Sequence, residues 1–305
     1  LELSNLQVEF NRIDNLWQDG RMAVEERLPE PRNPLGMDGI EFIEYATAQP
    51  QAFGALLQTL GFAAVARHRS REVMLYRQGT MNLIVNAHEA GSAAPALAAL
   101  AFRVRDAGFA HRHSLELGAW DMPTRAAAME LHIPGIHGVG DTLVYFVDRY
   151  QDFSIYDVDF VPLAGVGARP PALAGLHWFG VVQAILPGRT ADWLDFYQAL
   201  FGFSVLPEGQ YFGVLPKGTL LESPCRKFYL QLIEPPPGAE EIHWDEELVR
   251  VGLGAPDVPE AVRALRARGV VFVDHGAVQP SDKGALTQAY LGGVTFELVV
   301  SHLQP

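Results

Sequence analysis

The sequence predicts an α+β fold of four βαβββ modules paired into two domains. Four segments repeat one rhythm: a strand of alternating apolar residues, a helix with apolar spacings of three and four, then further strands. Each helix ends on a rhyming word, TLGF (59–62), ELGA (116–119), LFGF (200–203) and ARGV (267–270), whose glycine stands where a left-handed cap precedes the next strand. Between the second and third segments lies PLAGVGARPPALAG (162–175), rich in Pro, Gly and Ala, which reads as a linker. A unit of this kind has one apolar sheet face and cannot stand alone. Pairing two buries those faces and leaves a cleft. The predicted domains are therefore 36–163 and 176–305, after an N-terminal extension at 1–35.

In the extension, QDGRMAVEERL has the pattern of a short amphipathic helix, and PEPRNP reads as an extended connector. Module one runs GIEFIEYAT, QAFGALLQTLGF, AAVARH, VMLYRQG and MNLIVN. Module two runs ALAFRVRD, AGFAHRHSLELGA, AMELHIP and TLVYFVDR. Module three runs LHWFGVVQAIL, TADWLDFYQALFGF, YFGVLP and KFYLQLIE. Module four runs ELVRVGLGA, PEAVRALRARGV, VFVDH, LTQAYLG and VTFELVV.

Composition narrows the function. A net charge of −13 with no basic run argues against nucleic acid or an anionic membrane as partner. No apolar run is long enough to span a bilayer, and LELSNLQVEF lacks the apolar core of a signal peptide. The single cysteine, Cys225, excludes an internal disulfide framework and a thiolate metal cluster, and fits a reducing cytoplasm. Within SPCRK it reads as a spare loop thiol, since no His–Asp pattern accompanies it as a nucleophile would need.

Longer words then carry a resemblance. NPLGMDGIEFIEYA, ARHRSREVMLYRQGTMNLIVN, AFRVRDA, MELHIPGIHGVG and YFVDRYQDFSIYDVDFVPL, nearly continuous over 34–163, resemble the 4-hydroxyphenylpyruvate dioxygenase family of the vicinal-oxygen-chelate (glyoxalase/dioxygenase) superfamily. DWLDFYQALFGF, LTQAYLGG and VTFELV extend it into the second half. The dioxygenase-like domain fused behind some bacterial dehydroshikimate dehydratases is similar as well, and with it residues 1–35 read as the remnant of a linker from an upstream partner domain.

The resemblance implies two vicinal-oxygen-chelate domains, with the ancestral metal site in the second. There the family holds Fe(II) by two His and one Glu, which suits non-haem iron because open positions remain for 2-oxo acid and O2. By the resemblance the first His position falls on Gly180, or on Val181 if a one-residue gap is placed differently. The second falls on Arg250 in RVGL, and the Glu is kept as Glu297 in TFEL. Gln288, in LTQAY, matches a glutamine that faces substrate in the family. Arg250 and Gln288 are therefore the expected substrate-binding residues, and Glu297 the retained metal position.

Other histidines do not rebuild the triad. His177 and His302 stand at odd offsets from Gly180 and Glu297 and should point to the opposite face; His177 reads as a polar residue at a strand edge. Gln183 changes face with the gap placement. His243 reads as a loop residue. His111 and His113 read as solvated helix surface. His132 and His137 flank a Pro–Gly turn, and His68 has a structural role in the HRS word. The fourth module is shorter than in the family, and the family's C-terminal helix over the active-site mouth is absent before Pro305.

A guanidinium beside a divalent cation repels it, whereas beside a lone carboxylate it neutralises it. Arg250 and Glu297 are thus expected to converge as an ion pair. Three functions follow. The first is a metal-free or chemically diverged homologue that binds a small organic acid, with Fe(II) absent or weakly held. The alternative is an active non-haem iron(II) dioxygenase acting on 4-hydroxyphenylpyruvate or a related 2-oxo acid. The third is a superfamily enzyme of another type, with its metal in 1–163. Homo-oligomerisation through the apolar words of the first half is expected by analogy with relatives.

Overall fold

The computed structural model describes residues 33–303, apart from 88–93, 123–130, 141, 208–211, 214–217, 237, 239–243 and 276–277. The expected helix in QDGRMAVEERL lies outside these residues. Much of the expected strands AMELHIP and YFGVLP does too.

The first module opens with β1 (Gly39–Ala46), α1 (Pro50–Thr59), β2 (Ala63–His68), β3 (Val73–Gln78) and β4 (Met81–Asn86). The second has β5 (Ala96–Arg103), α2 (Ala107–Glu116), β6 (Gly135–His137) and β7 (Leu143–Val147). A short α3 (Ile155–Asp159) and β8 (Phe160–Pro162) follow. After a single 3-10 turn (Leu173–Gly175) come β9 (His177–Ala184), α4 (Thr190–Phe201), β10 (Ser204–Val205), β11 (Thr219–Glu222) and β12 (Tyr229–Ile233). The last module has β13 (Glu247–Ala255), α5 (Val258–Ala267), β14 (Gly284–Leu286) and β15 (Phe296–Val300).

The strands form two sheets of one plan, β6-β7-β5-β1-β4-β3-β2-β8 and β10-β11-β12-β9-β13-β15-β14. In each, the opening strands of two modules pair antiparallel at the centre, β1 with β5 and β9 with β13. Each opening strand also runs parallel to its own module's last strand, as β1 does with β4 and β13 with β15. This is the α+β arrangement of paired modules that the repeats predicted. One expected element is reduced: the VFVDH strand survives only as a bridge from Phe272 to Thr287.

The four rhyming glycines have positive φ, +99° at Gly61, +91° at Gly118, +78° at Gly202 and +95° at Gly269. A side chain there would be strained, which is why the words rhyme. The helix starts rhyme too. Asp106 accepts from the Phe109 amide at 2.7 Å, and Asp257 accepts from the Glu260 amide at 2.8 Å.

Residues 33–305 form one compact unit. The helix-bearing faces of both sheets share a core in which Phe102 packs against Phe201, Phe203 and Phe228, with ring centroids 5.5, 6.5 and 5.5 Å apart. The segment expected to be a linker is fastened down. Arg77 donates to the Ala168 carbonyl, the Gly79 amide to the Pro170 carbonyl, and the Leu173 amide to the Gln78 side chain.

The other face of the first sheet is filled. Phe42, Leu75, Ile84 and Val147 pack there with Ile155, Tyr156 and Phe160 of the α3–β8 segment. His68 stands edge-on to Phe160 at 5.2 Å, which gives the HRS word its structural role. The corresponding face of the second sheet keeps a recess.

Candidate functional site

Strand register builds this recess. Tyr229 pairs with Gly180, Gly180 with Gly252, and Gly252 with Glu297. Residues paired in this way project to the same face, so a single row crosses β12, β9, β13 and β15. Two residues along, Gln231 pairs with Val182 and Val182 with Arg250. Of the two positions left open for the first His, Gly180 shares the face of Glu297. Val181 pairs with Val251 and belongs to the core on the helix side.

Arg250 Nη1 lies 3.5 Å from Glu297 Oε2, with the side chains 15% and 6% exposed. Burial lowers the Arg250 pKa from its ordinary value, and the Glu297 charge and hydrogen bond oppose that shift. The guanidinium nonetheless stays charged at neutral pH. The recess occupies about 480 Å³ including its open mouth, and its lining includes Phe179, Phe212, Tyr229, Gln231 and Glu297. Phe212 closes an aromatic trio: its ring centroid is 5.1 Å from Phe179 and 4.8 Å from Tyr229, and those two are 5.0 Å apart.

Two glycines in this wall are dictated by close approach. A Cβ on Gly180 would collide with the Tyr229 carbonyl oxygen, and a Cβ on Gly213 would collide with Glu297 Oε1. The backbone at Gly213 thus lies directly against the Glu297 carboxylate.

The remaining expected residues scatter. Leu286 pairs with Glu297 at the end of β14, and Gln288 follows beyond that strand. Gln288 is exposed and is not among the residues lining the recess. His177, expected at a strand edge, is instead buried: its Nε2 lies 2.9 Å from Ser301 Oγ and its Nδ1 3.0 Å from the Gly175 carbonyl. Gln183 is buried against the helix side, where it accepts from Tyr197 of α4. His111 and His113, expected to be solvated, are half-buried, the first 2.8 Å from Asp121 and the second stacked on Phe109. His132 and His302 are exposed and His137 half-buried. His243 lies outside the described residues. Cys225 is partly buried, and burial pushes its thiol pKa up, which suits a quiet loop thiol rather than a nucleophile. Among the described residues, no three His, Cys, Asp or Glu side chains group as a metal site would.

Sequence reasoning missed Phe179, Phe212, Gly213 and Tyr229. The alternation of KFYLQLIE could have placed Tyr229 and Gln231 on one face. Nothing periodic announces Phe212 or Gly213.

A family model described as "Hydroxyphenylpyruvate dioxygenase, HPPD, N-terminal" matches residues 32–161. Over 268 residues the chain is 32% identical to 4-hydroxyphenylpyruvate dioxygenase of Pseudomonas aeruginosa, covering 80% of this chain and 73% of that one. The chain belongs to the 4-hydroxyphenylpyruvate dioxygenase family. Hemolysin VllY of Vibrio vulnificus is similar at 36% identity over 267 residues, covering 79% of this chain and 73% of that one. Among solved structures, a "xylose isomerase-like TIM barrel/4-hydroxyphenylpyruvate dioxygenase fusion protein" aligns with TM-score 0.69 at 22% identity. That alignment covers 94% of this chain and 53% of the fusion protein, and it establishes a common fold. Among the described residues of this family member, no helix is long and apolar enough to cross a membrane.

Proposed function

We propose that this member of the 4-hydroxyphenylpyruvate dioxygenase family binds a small organic acid in the recess of its second sheet without a resident iron. The observation that carries this reading is the Arg250–Glu297 pair. In the family the iron is held by two His and one Glu, and here only Glu297 remains. The residues present do not fit Fe(II). A fixed cation already faces the Glu297 carboxylate, and a histidine at 180 would strike the neighbouring strand. At an effective dielectric of 20, repulsion at about 4 Å is roughly 4 kcal/mol per unit charge, and about twice that for a divalent ion. Among the described residues, no carboxylate besides Glu297 lines the recess to offset it.

An incoming carboxylate meets the opposite situation. Arg250 stands beside Glu297 but is not among the residues that line the recess; it offers hydrogen-bond donors beyond the one facing Glu297, and Phe179, Phe212 and Tyr229 supply an apolar wall. A small acid with an apolar body suits an apolar recess with a guanidinium at the side of its carboxylate. Homo-oligomerisation and an upstream partner domain belong to the same proposal by analogy with relatives.

The competing reading is an iron(II) dioxygenase acting on 4-hydroxyphenylpyruvate or a related 2-oxo acid, which the names of the relatives favour. Metal analysis of protein purified from iron-supplemented cells, with O2 uptake after adding 4-hydroxyphenylpyruvate, separates the two. The proposal expects far less than one iron per chain and no uptake. Near-stoichiometric iron with substrate-dependent uptake overturns it.

A further inference from the structure

A second recess, of about 370 Å³ including its open side, lies where the two sheets meet. Its lining includes Asp38 and Arg103 from the first sheet's side and Trp178, Lys227 and Phe228 from the second's. It is remote in the fold from the Arg250–Glu297 face. Trp178 immediately precedes Phe179 on β9, but Trp178 packs toward Phe62 of the first module, at a centroid distance of 6.4 Å.

The polar groups here are unbalanced toward donors. Lys227 Nζ bonds Asp38 Oδ1 at 2.7 Å, which leaves two of its three protons without a described protein acceptor. Arg103 uses Nε on Glu41 at 2.6 Å, and its Nη1 and Nη2 make no hydrogen bond among the described residues. Thr80, which is exposed, adds a hydroxyl. His177 also borders the recess, but both its ring nitrogens are engaged by Gly175 and Ser301. The decisive group is Trp178. It is 7% exposed, and its indole N–H is buried with no acceptor among the described residues. Such a group is uncommon in folded proteins and calls for an explanation. Two cations face one exposed carboxylate, since the charge of Glu41 is already taken up by Arg103.

We propose that this recess is a binding site for a small oxyanion, a carboxylate or a phosphate group, held by Arg103, Lys227 and the indole N–H of Trp178. An oxyanion has acceptors for all three donors, and it is smaller than the recess. Because its partners come from both sheets, the bound ion would also clamp the junction between them.

Titration of the full chain with inorganic phosphate and, separately, with acetate, at constant ionic strength in chloride, tests this. The readouts are calorimetry and the indole N–H resonance of Trp178, identified by its loss in Trp178→Phe. The expected result is saturable binding of at least one probe, a shift of that resonance, and about tenfold weaker binding in Lys227→Gln. Acetate binding without phosphate binding assigns a carboxylate ligand; the reverse assigns a phosphate. Acetate taken up beside Arg250 would register in the calorimeter as well, so the assignment to this recess rests on the Trp178 resonance and on Lys227→Gln, and it stands or falls separately from the iron question. The proposal is overturned if neither probe saturates, if folded Lys227→Gln binds as well as the parent, or if a probe binds without moving the Trp178 resonance. Lys227 is partly exposed, so its variant carries the test even if Trp178→Phe does not fold.

Discussion

Arg250 and Glu297 reach each other diagonally across β13 and β15, two positions out of register, with Glu297 almost wholly buried. Replacing Arg250 by Met takes the facing cation away from that buried carboxylate, and breaking such a pair costs about 3–5 kcal/mol. The double variant Arg250→Met with Glu297→Met should recover most of this, because no charge is then left unpaired. Urea unfolding of the parent, both single variants and the double variant measures the coupling. A double variant no more stable than Arg250→Met would show that the pair is not what steadies Glu297.

Gly213 has φ of +70°, and its Cα side faces Glu297 Oε1. Gly213→Ala meets two penalties, the left-handed backbone, of roughly 1–2 kcal/mol, and the collision with the carboxylate. In a Glu297→Ala background only the backbone penalty should remain. Thermal unfolding of the four proteins reads out the difference, and equal losses in both backgrounds would argue against the close approach.

Asp106 and Asp257 cap α2 and α5 in the same way, each through the amide three residues on. Alanine at either position should cost about 1 kcal/mol, and the two costs should add, since independent sites usually do. Chemical denaturation that finds one cap silent would mean the two modules are not stabilised alike at this point.

Burial lowers the pKa of His177, with proximity to His302 adding to the effect and the Gly175 carbonyl opposing it. The unfolded chain therefore takes up this proton at higher pH than the folded one does. The stabilising contribution is complete above the unfolded value of about 6.5, and is lost as pH falls from there through the lower folded value. His177→Asn should be less stable at pH 7, having lost the Ser301 contact, yet show a flatter fall in melting temperature between about pH 6.5 and 5. An unchanged slope in circular-dichroism melts would remove His177 as the titrating group.

The repeat was legible because its punctuation has a steric cause: glycine is needed at 61, 118, 202 and 269 to turn each helix into the next strand. The pairing of Arg250 with Glu297 was legible for a related reason, since strand period fixes which side chains share a face. Features that depend on non-local approach were not. The burial of His177 requires Ser301, from just beyond the last strand, to arrive beside it. The place of Phe212 in the aromatic trio requires a loop to fold back onto β9 and β12. Gln288 is exposed and not among the residues lining the recess, because it follows the end of β14 and the strand period that placed Glu297 does not extend to it.

Phe102 leans on Phe201, Phe203 and Phe228, and the strap at 168–173 is stitched to the β3–β4 hairpin. The seam is thus shared property: a change of bulk on one side has to be answered on the other. The open face of the second sheet carries no such obligation. Chemistry can be rewritten there residue by residue while the seam holds the architecture constant.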